Sequence, residues 1–203
     1  MKKISLFLLL FAAFGTALIA QNNAIAIAFN NSYNLEKKGD FSNARKELQA
    51  VYQEHNYEMN LRMGWLYYNE GEMINSIKFY EKAIAIMPYA IEPKLGLVYP
   101  LSNLGNWDSV LETYLKILKV DPNNNLVNYR TGLIYYNRKE YAKAIVYLQK
   151  NINLYPFNYD NLILSAWAHL YAGHNTEAKA LFEKCLFINM EDESANSGLK
   201  MIK

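Results

Sequence analysis

Three histidines, one cysteine and scattered carboxylates are the groups from which this 203-residue chain would have to build an active site. Their spacing does not build one. His55, His169 and His174 lack metal-ligand spacing, no Ser, His and Asp run in triad order, and no glycine-rich loop is placed to cradle a phosphate. Glu70, Glu72, Asp108 and Glu112 fall near turns or on helical faces that read as solvated surface. The expectation is a protein that is not an enzyme and uses no cofactor or metal. Cys185 recurs in one column with Ala83, Ile117 and Asn151, on the inner side of a helix, where a small apolar group packs. The fold therefore does not depend on an intramolecular disulfide.

What remains is binding chemistry, carried by rings and amides. The chain has 17 tyrosines, 9 phenylalanines and 3 tryptophans. Asn69, Asn103 and Asn137 recur at a spacing of 34 residues. An amide ladder of that kind could hydrogen-bond an extended peptide backbone, but each asparagine also precedes a turn, where local reasons favour it.

The elements that position these residues follow the same period. A shift of 34 residues aligns Pro88, Pro122 and Pro156 in one column, and Gly71, Gly105 and Gly173 in another, with Lys139 as the exception. Gly64, Val98, Gly132 and Ala166 form a column of small residues suited to close helix approach. Tyr80, Tyr114, Leu148 and Phe182 form a column of large apolar ones. Within one unit the apolar residues follow helical spacing twice: Met63, Leu66 and Tyr67, then Ile77, Tyr80 and Ile84. Asn69-Glu70-Gly71-Glu72 between them reads as a helix stop and restart.

This pattern resembles the tetratricopeptide repeat: a small residue after an apolar one, an aromatic three residues on, then alanine, an aromatic and a closing proline. Unit two matches through Met63-Gly64, Tyr67, Ser76, Tyr80, Ala83 and Pro88. Unit four matches through Gly132, Tyr135, Ala144, Leu148 and Pro156, and unit five through Ala166, Ala178 and Phe182, with Met190 in place of proline. The resemblance implies an all-α fold, a right-handed superhelical solenoid of about five helix-turn-helix repeats. The expected boundaries are 22–56, 57–90, 91–124, 125–158 and 159–192, read as one continuous domain over 22–203. A short amphipathic helix at 193–203, with Ala195, Leu199 and Ile202 on one face, would cap it.

In the family it resembles, the first helices of the units line a concave face. Carrying the columns over places Phe29, Tyr33, Trp65, Tyr68, Asn69, Tyr99, Asn103, Tyr129, Tyr136, Asn137, Trp167 and Tyr171 on that face, whereas Tyr67 and Tyr135 fall in a packing column. The family's clamp for C-terminal carboxylates is not reproduced: Phe29, Tyr33, Glu92 and Gly96 stand where its polar and basic residues belong. Arg62 and Arg130 read as surface charges.

Two units depart from the pattern. In the first, Ala24 to Phe29 is apolar on every side, as an imperfect cap or a self-association surface. In the third, Pro100 removes a hydrogen bond to the Gly96 carbonyl, so a kink or a break is expected near Val98–Pro100.

Residues 1–20, with Lys2, Lys3 and an apolar run from Ile4 to Phe14, have the layout of a secretory signal peptide, cleaved after Ala17 or before Gln21. The alternative is an uncleaved segment that anchors the chain in a membrane, although about 17 apolar residues is at the short limit for a span. Without Lys2 and Lys3, 19 basic residues balance 19 acidic ones. That balance, with no basic stripe, argues against nucleic acid. The sequence thus predicts an exported, periplasmic or secreted, scaffold that binds a protein segment or partner helix through its rings. A glycan stacked on the same rings is the alternative, and self-association a third.

Overall fold

A computed structural model describes residues 21–202, which form eleven helices. The signal-peptide expectation lies outside the described residues. Helix α1 occupies 21–36. It is followed by α2 (Phe41–Gln49), α3 (Tyr57–Asn69), α4 (Met73–Ile86), α5 (Glu92–Asn103), α6 (Trp107–Val120), α7 (Asn125–Asn137), α8 (Tyr141–Leu154), α9 (Tyr159–Tyr171), α10 (Asn175–Ile188) and α11 (Glu193–Met201). The chain divides into two compact units, the first ending at Leu104 and the second beginning at Gly105. Within the first, α3 packs on α2, α4 and α5; within the second, α6 to α11 pack in sequence, and α9 also touches α7 and α11.

The helices start and stop where local chemistry requires. The side chains of Asn56, Asn124, Asn158 and Asp192 each accept a hydrogen bond from the amide three residues on, which satisfies a free N–H of the first turn. The turn inside each unit needs a left-handed residue. Gly39, Gly71, Gly105 and Gly173 supply it with φ between 69° and 83°, and Lys139 is forced into the same region at φ 61°.

A second device ties one unit to the next. The Asn60 amide donates to the carbonyls of Glu54 and Asn56, both at 2.7 Å. Asn128 repeats this with Pro122 and Asn124 (2.9 and 3.0 Å), and Asn196 with Met190 and Asp192 (3.4 and 2.9 Å). In the same column Lys94 sends its ammonium to Pro88 and Ala90 (2.5 and 2.7 Å). Each side chain thereby reaches one carbonyl of the turn, that of Glu54, Pro88, Pro122 or Met190, whereas the carbonyls of Asn56, Asn124 and Asp192 also accept a backbone N–H of the helix they start. The sequence reading passed over this column.

Packing follows the small-residue columns. Tyr80 lies so close to Gly64 and Gly96 that a Cβ on either would meet its ring at 2.9 and 2.3 Å; Leu148 stands in this way against Gly132, and Phe182 against Gly198. Helix α11 therefore docks in the register of a first helix: Ala195 is fully buried, and Leu199 and Ile202 pack on the cluster around Phe182. The expected break at Pro100 does not occur, since α5 runs through it from Glu92 to Asn103. Leu97, Val98, Pro100 and Leu101 are all buried, and that packing offsets the lost backbone bond. In α1 only Ala28 of the apolar run is buried, and Ile27 is exposed.

Candidate functional site

A groove of about 650 Å³ opens in the first unit. It is lined by Phe29 and Tyr33 from α1, by Glu58, Leu61, Arg62 and Trp65 from α3, by Glu92, Leu95, Gly96 and Tyr99 from α5, and by Tyr80 from α4. The α3 and α5 residues pair at the repeat spacing, 58 with 92, 61 with 95, 62 with 96 and 65 with 99, so successive first helices present the same four positions. Of the expected site residues, Phe29, Tyr33, Trp65 and Tyr99 meet here. Tyr33 and Tyr99 are about half exposed, whereas Trp65 also packs on the core and donates its indole N–H to Glu36 at 2.6 Å.

Arg62 corrects the sequence reading, because it is not a surface charge. It is buried; its Nη1 pairs with Glu36 Oε2 at 2.5 Å, Nη2 donates to Ser32 Oγ at 3.3 Å, and the guanidinium lies 3.9 Å from the centre of the Tyr33 ring. Arg130, 68 residues on in the same frame, is exposed.

Tyr68 continues the ring row without lining the groove, at 5.5 Å from Tyr99 and 6.0 Å from Trp65. The asparagines behave as helix-end residues: Asn69 donates to the Trp65 carbonyl at 2.8 Å, and Asn103 to the Tyr99 carbonyl at 3.3 Å and the Tyr68 hydroxyl at 3.2 Å. Each amide thus donates at least one hydrogen bond within the fold. Asn137 is exposed.

The remaining ring candidates lie in the second unit. Tyr136, Tyr171 and Trp167, with Tyr141, form a contiguous group in which Tyr171 stacks on Tyr141 at 5.2 Å and on Trp167 at 5.6 Å. These rings spend on each other faces that a sugar would need. Trp167 is largely a packing residue: its ring meets Phe182 edge-on at 5.2 Å, and its N–H donates to Ser194 of α11 at 2.8 Å. Tyr129 is half-buried, and burial raises its hydroxyl pKa.

Burial also pushes the Tyr80 hydroxyl far above its ordinary range, with smaller contributions from Tyr99, Glu92 and Tyr68. Cys185 is fully buried and its thiol is pushed up to about 11, the behaviour of a packing residue. His169 is buried beside His174, with ring centres 5.5 Å apart, and burial lowers its pKa.

The groove residues that sequence reasoning missed are Glu58, Leu61, Leu95 and Tyr80; it had set Glu92 and Gly96 only at the clamp positions, and Arg62 on the surface. All but Tyr80 lay in the 34-residue pairing itself, which was followed for the rings and not for the charges.

The helical hairpins and their grooved first-helix face define a helical-repeat protein, a class whose stacked units form extended binding surfaces. Residues 57–88 in the first unit and 127–158 in the second each match a tetratricopeptide repeat model. A stretch of 78 residues is 37% identical to a tetratricopeptide repeat-containing protein of Methanocaldococcus jannaschii; it covers 35% of this chain and 14% of that protein. Among solved structures, a tetratricopeptide repeat protein from Parabacteroides merdae is similar with a TM-score of 0.74 at 19% identity, over 88% of this chain and 73% of that one. A crystal structure of MamA is similar with a TM-score of 0.71 at 20% identity, over 84% and 94%. At such identity these two likenesses show the fold alone.

Proposed function

We propose that this protein is a binding scaffold, and that the groove of its first unit takes an extended segment of another protein. The observation that carries the reading is the groove itself, in which Phe29, Tyr33, Trp65 and Tyr99 converge from three helices. Rings on packed helices lose little freedom when a ligand arrives, so pre-organisation lowers the cost of binding. Tyr33 and Tyr99 are the rings to test, because each is about half exposed, whereas Trp65 and Tyr80 also hold the fold.

The test is capture from a bead library of random, end-capped dodecapeptides by the full chain and by a Tyr33→Ala/Tyr99→Ala variant. Wild type is expected to retain a defined peptide set that the variant loses while still unfolding cooperatively, at a lower melting temperature because Arg62 has lost the Tyr33 ring. Equal retention by the variant, or no retention by wild type, removes the groove as the site.

Export belongs to the same proposal and is supported by the N-terminal pattern of Lys2, Lys3 and the Ile4–Phe14 apolar run. Sequencing the N-terminus of protein recovered from the envelope fraction should find a start at Leu18 or Gln21. An intact Met1 on protein confined to the cytoplasm would contradict it.

A further inference from the structure

The groove of the first unit carries an unbalanced charge. Glu36 and Arg62 neutralise each other, and the second Glu36 oxygen is taken by the Trp65 indole. Glu58 and Glu92 are left over. Both are exposed, both line the groove, and their 34-residue separation puts them at the same position of adjacent first helices. Among the described residues neither forms an ion pair.

What would answer that charge is shown by a cation already held against a ring in this wall, the Arg62 guanidinium over Tyr33. The half-exposed Tyr99 ring lines the same groove, with Trp65 beside it, and suits an incoming cation in the same way.

We infer that the groove selects a polypeptide segment bearing a lysine or arginine, whose cationic head sits beside Glu58 and Glu92 and whose aliphatic stem lies along Trp65 and Tyr99. This rests on the groove being the binding site, and it adds the chemistry of the partner.

The test uses the same bead library, now read by the composition of the retained peptides. Wild type should enrich lysine or arginine over glutamate at one position by about tenfold, the combined scale of a ring contact and a surface ion pair. Glu58→Gln/Glu92→Gln should retain peptides but lose that preference, and Glu58→Lys/Glu92→Lys should reverse it. Both positions are exposed but lie in the first turns of α3 and α5, so the Gln pair should melt near wild type and the Lys pair somewhat lower. Peptides retained through Tyr33 and Tyr99 with no basic preference, or an acidic one, would overturn this inference and leave the groove intact. No retention by wild type would overturn both.

Discussion

Arg62 is accommodated in a buried place because α1 meets it with three groups: the Glu36 carboxylate, the Ser32 hydroxyl and the Tyr33 ring. An arginine in this column is not buried by its repeat position alone, since Arg130 is exposed. The neighbours across the helix pair decide it, and a single helix's pattern does not reveal them. Cys185 was legible for the opposite reason, as its column already held Ala83 and Ile117. Lys139 was visible as the exception among turn glycines, and the structure shows its cost: a side chain at φ 61° carries the left-handed penalty of about 1–2 kcal/mol. Lys139→Gly should recover part of it, less the entropy that glycine loses, for a net gain of up to about 1 kcal/mol. Chemical denaturation should move the midpoint upward with an unchanged slope. A lower midpoint would mean that the lysine side chain supplies more than its backbone costs.

At the scale of the element, apolar periodicity and turn residues were enough to place the helix pairs, because both are local signals. At α5 the break that was one of two expected outcomes does not occur. Proline was weighed there by its backbone cost, whereas the outcome was set by burial of Leu97, Val98, Pro100 and Leu101. Helix α11 does more than lie over an apolar end. Asp192 starts it as Asn158 starts α9, Asn196 clamps the preceding turn as Asn128 does, and Gly198 admits the Phe182 ring as Gly96 admits Tyr80. The turn clamp formed by Asn60, Lys94, Asn128 and Asn196 was present in the sequence in one 34-residue column, interrupted only by Leu162. It went unread because asparagine and lysine inside a helix ordinarily signal solvent.

For the molecule, the sequence placed all twelve candidate residues along first helices, and the structure divides them. Four line the groove of the first unit, with Tyr68, Asn69 and Asn103 beside or behind it, while those of the second unit are largely engaged with one another or stand apart. Repeat position predicts which helix carries a ring. It does not predict whether neighbouring rings stack closed or leave a cleft between them, because that depends on the intervening side chains, such as the small Gly96 beside Tyr80. The chain's near-neutral balance likewise conceals a local excess, since Glu58 and Glu92 share one groove.

The central claim is that ligand occupies this groove rather than the outer face of the first unit. The most direct measurement places a photo-crosslinking benzoylphenylalanine at Tyr99 or, as a control, at Ile74, which is 70% exposed on α4. Each protein is irradiated with a peptide retained from the library, and the adducts are mapped by mass spectrometry. Crosslinking from position 99 with none from 74 is the predicted result. Efficient adducts from 74 with none from 99 would contradict it and move the binding face to the second helices.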